Sequence, residues 1–487
     1  MKFCPECGAK LVSQKFCQEC GENLSNYIRK PADSLDSFDF SALEREAAKQ
    51  LTEQIGLQVE GQVLVKYTGK SRDVVIPHGI TEIFDEAFKG NEIVASVELP
   101  EGVKLIGKSA FAGCKYLKKI TIPSTVEEIY EGAFAGCCEL ESITLPDVLT
   151  RIRADLFYRC GNLKQINIPN FVTAIEWRAF CGCGSLTNVI IPDSVTSIGY
   201  NQTSNLCVGA FSDSGLTSVS LPKHLTNIDS YTFSGCSRLS SVTIPISIKT
   251  IGNGAFNNCP IDEIHYEGTV DDWAKINIAR GKSIWDHSNA FSMINKMYFN
   301  NKLTTEITIS TDVPDSGFCY WSTLQKVVVA PSVKSIGYYA FKGCTALTEV
   351  KILGNDTLIN NSAFSGCSSL EYLELHFSKS DRPKPLGYYF GGERYNGGVE
   401  TEQRYQNSYN NVFCIPASLK KLTVTAGTMD QYSITNCHNL TDVTFGEAVN
   451  FTTGYPYNCQ NIKKVKGPKK LAAQMKACFP YSQIITY

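Results

Sequence analysis

A phrase of 23 residues recurs along most of this chain, and it decides most of what the chain can fold into. From Phe111 it reads FAGCKYLKKITIPSTVEEIYEGA, then FAGCCELESITLPDVLTRIRADL, then FYRCGNLKQINIPNFVTAIEWRA. The shared outline is F-x-x-C-x2-L-x2-I-x-I-P-x2-V-x2-I. Phe88, Phe111, Phe134, Phe157 and Phe180 keep the step; Phe211 follows after 31 residues, Phe233 after 22 and Phe256 after 23. Phe318, Phe341 and Phe364 resume it, and weaker units follow Phe413 and lie near Ile434 and Cys459. A unit this short cannot bury its own apolar face, so self-similarity at this period means stacked coils. L-x-x-I-x-I predicts a short strand with its apolar residues inward and the others outward. The proline ends that strand because it has no N–H for a continuing ladder. V-x-x-I predicts a second extended edge, and the Phe of every unit an internal stack. The expected fold is mainly β: a solenoid of about fourteen 23-residue coils with parallel strand ladders.

Twenty cysteines are many for one chain, and the repeat accounts for half of them. Cys114, Cys137, Cys160, Cys183, Cys236, Cys259, Cys344 and Cys367 share one repeat position, with Cys437 and Cys459 there by weaker alignment. They read as small buried residues packed under a turn, which suits a free thiol. A ladder of disulfides fits less well, because stacked side chains point the same way.

Four more cysteines stand apart. FCPECGAKL and FCQECGENL place Cys4, Cys7, Cys17 and Cys20 in two C-x2-C-G phrases nine residues apart. Four thiolates on tight turns are a tetrahedral zinc site, and some thirty residues without a core need metal binding to fold. One structural Zn²⁺ is the expected cofactor, with no open position for catalysis. Iron on the same ligands, a disulfide pair or a redox pair are the competing readings.

Units such as IPSTVEEIYEGAFAGCCELESITLP resemble the leucine-rich repeat of the bacterial surface-antigen (BspA-like) type, over roughly residues 57 to 466. GQVLVKYTGKSRDVVIPHGI is similar to that family's opening coil. IHYEGTVDDWAKINI, carrying Trp273, and LGYYFGGERYNGG followed by IPASLKKLTVTAGT resemble its recurrent insertions. The resemblance implies a leucine-rich-repeat solenoid; many relatives are secreted and implicated in adhesion. Residues 1–24 resemble the short zinc ribbons at the front of many bacterial proteins. The expected organisation is a zinc ribbon over 1–24, a flexible linker over 25–40 and an N-terminal capping helix over 41–56. The solenoid follows over 57–466, with insertions near 200–208, 266–300 and 376–412, and a C-terminal cap over 467–487.

The chain shows no H-E-x-x-H, no phosphate-binding glycine loop and no G-x-S-x-G, and its six histidines are scattered. Basic and acidic side chains nearly cancel (46 against 48), which argues against a general affinity for nucleic acid or membranes. MKFCPEC is not a secretory leader, and no run of 18 apolar residues occurs, so the expected place is the cytoplasm without a membrane span. The expected function is a non-enzymatic scaffold for protein–protein interaction, contacting partners through the solenoid face and inserted loops, with the ribbon as a second contact. A nucleic-acid-associated zinc-ribbon protein and an exported adhesin are the rivals. Within the last insertion, Tyr388, Tyr389, Phe390, Tyr395, Tyr405 and Tyr409 are candidate partner-binding aromatics, since long loops on rigid scaffolds carry recognition.

Overall fold

The computed structural model describes residues 2–3, 10–11, 55–199, 208–279, 294–377, 384–404, 411–452, 456 and 458–487. Among these the repeat folds as a stack of short coils with two parallel ladders. Asp73–Val75, Ser96–Glu98 and Lys119–Thr121 pair in strict 23-residue steps, so that Val74, Val97 and Ile120 lie one over another. The same ladder continues through Ser218–Ser220, Ser241–Ile244, Glu263–Tyr266 and Lys296–Phe299. An eight-stranded sheet then runs from Glu306–Ile309 to Gln483–Thr486. The V-x-x-I edge builds the second ladder, stacking Ile83 on Ile106 on Ile129, and later Ile228 on Ile251 on Ile278. A slip of one residue would turn every one of these side chains to solvent, which fixes the register.

Between the ladders the A-F turn carries the spine. From Phe88 to Phe256 successive rings stack at 4.8 to 5.8 Å between centroids, with Tyr67 filling the first place at 5.0 Å from Phe88. The 31-residue unit does not interrupt it: Phe180 and Phe211 lie 5.1 Å apart. The stack resumes with Phe318, Phe341 and Phe364. In the gap, Tyr266, Trp273, Phe299 and Trp321 pack edgewise or tilted, and the Trp273 indole donates to the Gly317 carbonyl at 2.8 Å.

The recurrent cysteine completes each turn. The Phe134 carbonyl accepts the Cys137 N–H of its own coil and the Cys160 thiol of the next, each at 3.1 Å. The same contact joins Cys114 to Phe88, Cys183 to Phe157, Cys344 to Phe318 and Cys367 to Phe341. Cysteine is small enough for the slot and places a donor on the second lone pair of a buried carbonyl. Serine takes the cysteine's place in the shortened unit, where the Ser214 hydroxyl lies 3.2 Å from the Cys236 sulfur of the next coil.

Residues 266–300 take part in both ladders. A one-turn helix, Val270–Trp273, is held by a Thr269–Asp272 capping box; Asn277–Ile278 then extends one ladder and Lys296–Phe299 the other. At the front, Leu57–Glu60 and Val63–Tyr67 form an antiparallel hairpin that feeds the second ladder. The linker expected over 25–40 lies outside the described residues, as does the helix expected over 41–56 up to Ile55, where a turn is seen. At the far end Pro468 precedes a 3₁₀ turn and the helix Ala472–Cys478, which bury Leu471 and Met475. Gln483–Thr486 then pairs parallel with Lys464–Gly467.

Candidate protein-interaction surface

The alternation that buries Leu and Ile also defines the surface the main ladder offers. Lys119 and Thr121, Ser218 and Ser220, and Tyr372 and Glu374 flank buried Ile120, Val219 and Leu373, and none of the six is buried. The outward positions read from the sequence are thus the outward positions of the fold.

Along the stack this face changes character. Its first half mixes short polar side chains such as Thr121, Thr144, Asn167, Ser220 and Thr243 with charges such as Asp73, Glu98 and Lys119. From Glu263 onward rings join the charges. The His265 ring stacks on Tyr298 in the next coil at 4.3 Å, and Lys296 bridges Glu263 at 2.8 Å and Asp262 at 3.4 Å. Further on, Lys326 and Lys351 both reach Glu349, at 3.4 and 2.6 Å. The Lys351 ammonium lies 5.5 Å from the centre of the Tyr372 ring. The Tyr372 hydroxyl donates to Glu374 at 2.8 Å and lies 3.0 Å from the Thr423 hydroxyl. Its hydrogen bond to Lys351 holds the Glu349 carboxyl below the usual range, and the same bond raises the Lys351 ammonium. Burial lifts the Tyr372 phenol to about 12. At neutral pH the charges are therefore fixed and the ring is held in place. Tyrosine in a pre-formed network is the kind of side chain that anchors protein interfaces.

The aromatic insertion behaves differently from expectation. Tyr388, Tyr389 and Phe390 do not face solvent: they are buried on a 3₁₀ turn, Leu386–Tyr389, and its exit. Phe390 takes the spine position after Phe364, 6.4 Å away and tilted by 51°. These three rings pack the core and are not available as anchors for a partner. Tyr395 is half-buried and its hydroxyl donates to the Cys414 carbonyl at 3.0 Å. Tyr405 and Tyr409 lie outside the described residues. What secures the insertion is Gln403, which sequence reasoning missed. Fully buried, it accepts from the Gly387 N–H at 2.8 Å and donates to the Thr435 carbonyl at 2.7 Å, tying the hairpin Gly398–Gln403/Asn411–Pro416 to the next coil.

Cys4, Cys7, Cys17 and Cys20 lie outside the described residues. In this stretch only Lys2–Phe3 and Lys10–Leu11 are described, and they pair antiparallel. Among the described residues no group of three or more His, Cys, Asp or Glu could hold a metal ion, and no helix is long and apolar enough to cross a membrane.

The family model described as the BspA type leucine rich repeat region matches residues 81–208, 204–313, 292–381 and 388–486. No curated protein matches the chain. Solved structures similar to it include a leucine-rich repeat protein from Bacteroides ovatus, 24% identical over 88% of this chain and 96% of that one, with a TM-score of 0.47. A Treponema (T. pallidum) leucine-rich repeat protein is 30% identical over 41% of this chain and 81% of that one, at a TM-score of 0.29. A leucine-rich cell surface protein from Faecalibacterium prausnitzii is 20% identical over 88% and 96%, at 0.30.

Proposed function

Because the chain belongs to the BspA-type leucine-rich repeat family, whose members generally serve as protein-interaction scaffolds, we propose that it is a non-enzymatic scaffold. It binds a partner protein through the outward face of its main ladder, centred on the charged and aromatic half from Glu263 to Thr423. The observation that carries this reading is the network around Tyr372. Glu349, Lys351, Glu374 and Thr423 hold that ring half-exposed from three successive coils, so little side-chain freedom is lost when a partner covers it.

Residues 1–24 act as a second contact module, folded on one structural Zn²⁺ by Cys4, Cys7, Cys17 and Cys20. The donor set, the C-x2-C-G spacing and the pairing of Lys2–Phe3 with Lys10–Leu11 support this. Two modest sites on one chain raise avidity without new contacts. The protein works in the cytoplasm. Cys114, Cys137, Cys160, Cys183, Cys344 and Cys367 are thiols that donate to backbone carbonyls, as suits a reducing compartment.

The test is affinity capture from native lysate after nuclease treatment. It compares wild type with Lys351→Glu/Tyr372→Ala and with Cys4→Ser/Cys7→Ser, the latter also assayed for zinc by elemental analysis. The scaffold reading expects discrete proteins that survive nuclease and are lost from the face variant. It expects about one zinc per chain in the wild type, absent from the cysteine variant. Capture that vanishes with nuclease would favour the nucleic-acid reading instead.

A further inference from the structure

The turn that carries the spine demands a left-handed residue two positions after each Phe, and the repeat normally supplies glycine there. Gly90, Gly113, Gly136, Gly182, Gly235, Gly343 and Gly366 all have positive φ at this place. In the unit FYRC the position belongs to Arg159, at φ 58°. The place is not reserved for glycine, since Asp213, Asn258 and Tyr320 hold it at φ 56°, 58° and 60°, so Arg159 is set apart by its charge and its neighbours rather than by its backbone.

The surroundings of Arg159 make an ordered cluster. Its guanidinium lies 5.1 Å from the centre of the Tyr158 ring, while its stem runs along Gly182, the residue with room for it. One coil on, Arg178 takes the turn's other left-handed place, which Glu86, Ser109, Asp155 and Tyr231 fill in their own coils. It is 4.5 Å from the same Tyr158 ring and 3.9 Å from the Trp177 ring, and it donates to both Asp155 carboxylate oxygens at 2.6 and 2.7 Å. The Trp177 indole is fixed in turn by the Val208 carbonyl at 2.9 Å. Next to them Arg153 is paired with Glu128 and Glu176, at 3.2 and 3.6 Å. Every arginine of the cluster has a carboxylate except one. Arg159 is exposed and makes no ion pair among the described residues.

We propose that this edge is a second docking site, distinct from the strand face, which takes an acidic segment of a partner protein. A partner Asp or Glu pairs with Arg159 while a neighbouring apolar or aromatic side chain lies on Tyr158 and Trp177. Arginine, tyrosine and tryptophan together are the composition of binding hot spots, and arginine pairs with carboxylates through two parallel N–H donors. The carboxylates of Glu128, Asp155 and Glu176 stand close by, so a dense polyanion such as nucleic acid is repelled where an isolated acid is not. The inference rests on the scaffold reading but uses other residues, so each can fail alone.

The experiment uses the full chain labelled with ¹⁵N-arginine, titrated with a blocked six-residue peptide carrying a single glutamate flanked by tyrosines. The same peptide with lysine for glutamate, and a single-stranded oligonucleotide, serve as the other arms. The glutamate peptide is expected to give saturable shifts of the Arg159 and Arg178 Nε signals, and Arg159→Gly to weaken binding at least tenfold. That variant restores the repeat's own residue, so its thermal midpoint should equal or exceed that of wild type. The proposal is overturned if the peptide gives no saturable shift, if the lysine peptide or the oligonucleotide binds as well, or if Arg159→Gly leaves binding intact. A lowered midpoint in Arg159→Gly overturns it too, since Arg159 would then be serving the fold. Partners still captured through the strand face after such a result would leave the scaffold reading standing.

Discussion

Replacing Cys160 by alanine and by serine separates two accounts of the cysteine ladder. The side chain is wholly buried, and its thiol donates to the Phe134 carbonyl at 3.1 Å. Alanine removes the sulfur, a loss of about 0.8 kcal/mol for a group the size of a methylene. The cavity left behind, on the order of 25 Å³, adds roughly 0.6 kcal/mol. The missing S–H···O contact adds about 0.5 kcal/mol, for a total of about 2 kcal/mol. The carbonyl itself is not orphaned, because the Cys137 N–H still donates to it. Serine loses the sulfur's apolar transfer but keeps a donor on the same lone pair, worth about 1 kcal/mol, so its net loss should be about 1 kcal/mol. Ser214 already fills this place in one coil. Urea unfolding followed by circular dichroism, with the slope unchanged, would give both numbers. If serine destabilises more than alanine, the slot is purely apolar and the hydrogen-bonding argument fails.

Two further predictions concern the backbone and pH. Gly427 has φ +100°, and a Cβ there would run into the Phe377 backbone carbonyl across the ladder. Gly427→Ala should therefore destabilise by on the order of 3 kcal/mol, or prevent folding, and an unchanged urea midpoint would contradict the strand pairing at this bulge. Burial raises the Cys114 thiol from 9.0 to about 12 and pushes up Cys137, Cys160, Cys183, Cys344 and Cys367 in the same way. The native thiols hold protons that the unfolded chain releases above pH 9. The stabilisation is therefore complete below that pH and falls as pH rises, by about 1.4 kcal/mol per thiol per pH unit. Urea midpoints should be flat from pH 6 to 8 and drop steeply above 9; a flat profile to pH 11 would mean the ladder is not sealed from water.

Period and apolar position were enough to read the ladders, the outward face and the spine, because every coil repeats the same burial problem. Where the rhythm breaks, composition misled. The run of rings at Tyr388, Tyr389 and Phe390 suggests an exposed loop, yet Phe390 lies 26 residues after Phe364, close enough to the period to continue the spine. That spacing was the available signal. Gln403 carried none: its burial depends on where a distant coil places the Gly387 N–H and the Thr435 carbonyl. Arg159 was visible as FYRC among FAGC and FKGC units, but its meaning needed the rings and ion pairs that surround it. The rings of His265 and Tyr298 could be placed on the outward face only after the insertion at 266–300 proved to be part of the stack.

The most direct test of the account is hydroxyl-radical footprinting of the protein with and without a partner recovered by nuclease-resistant capture. Binding through the outward ladder face predicts protection of Tyr298 and Tyr372, with His265 following them and the polar coils before Ser241 unchanged. Oxidation of Tyr298 and Tyr372 that stays the same when the partner is bound, with protection confined to other surfaces, would contradict it.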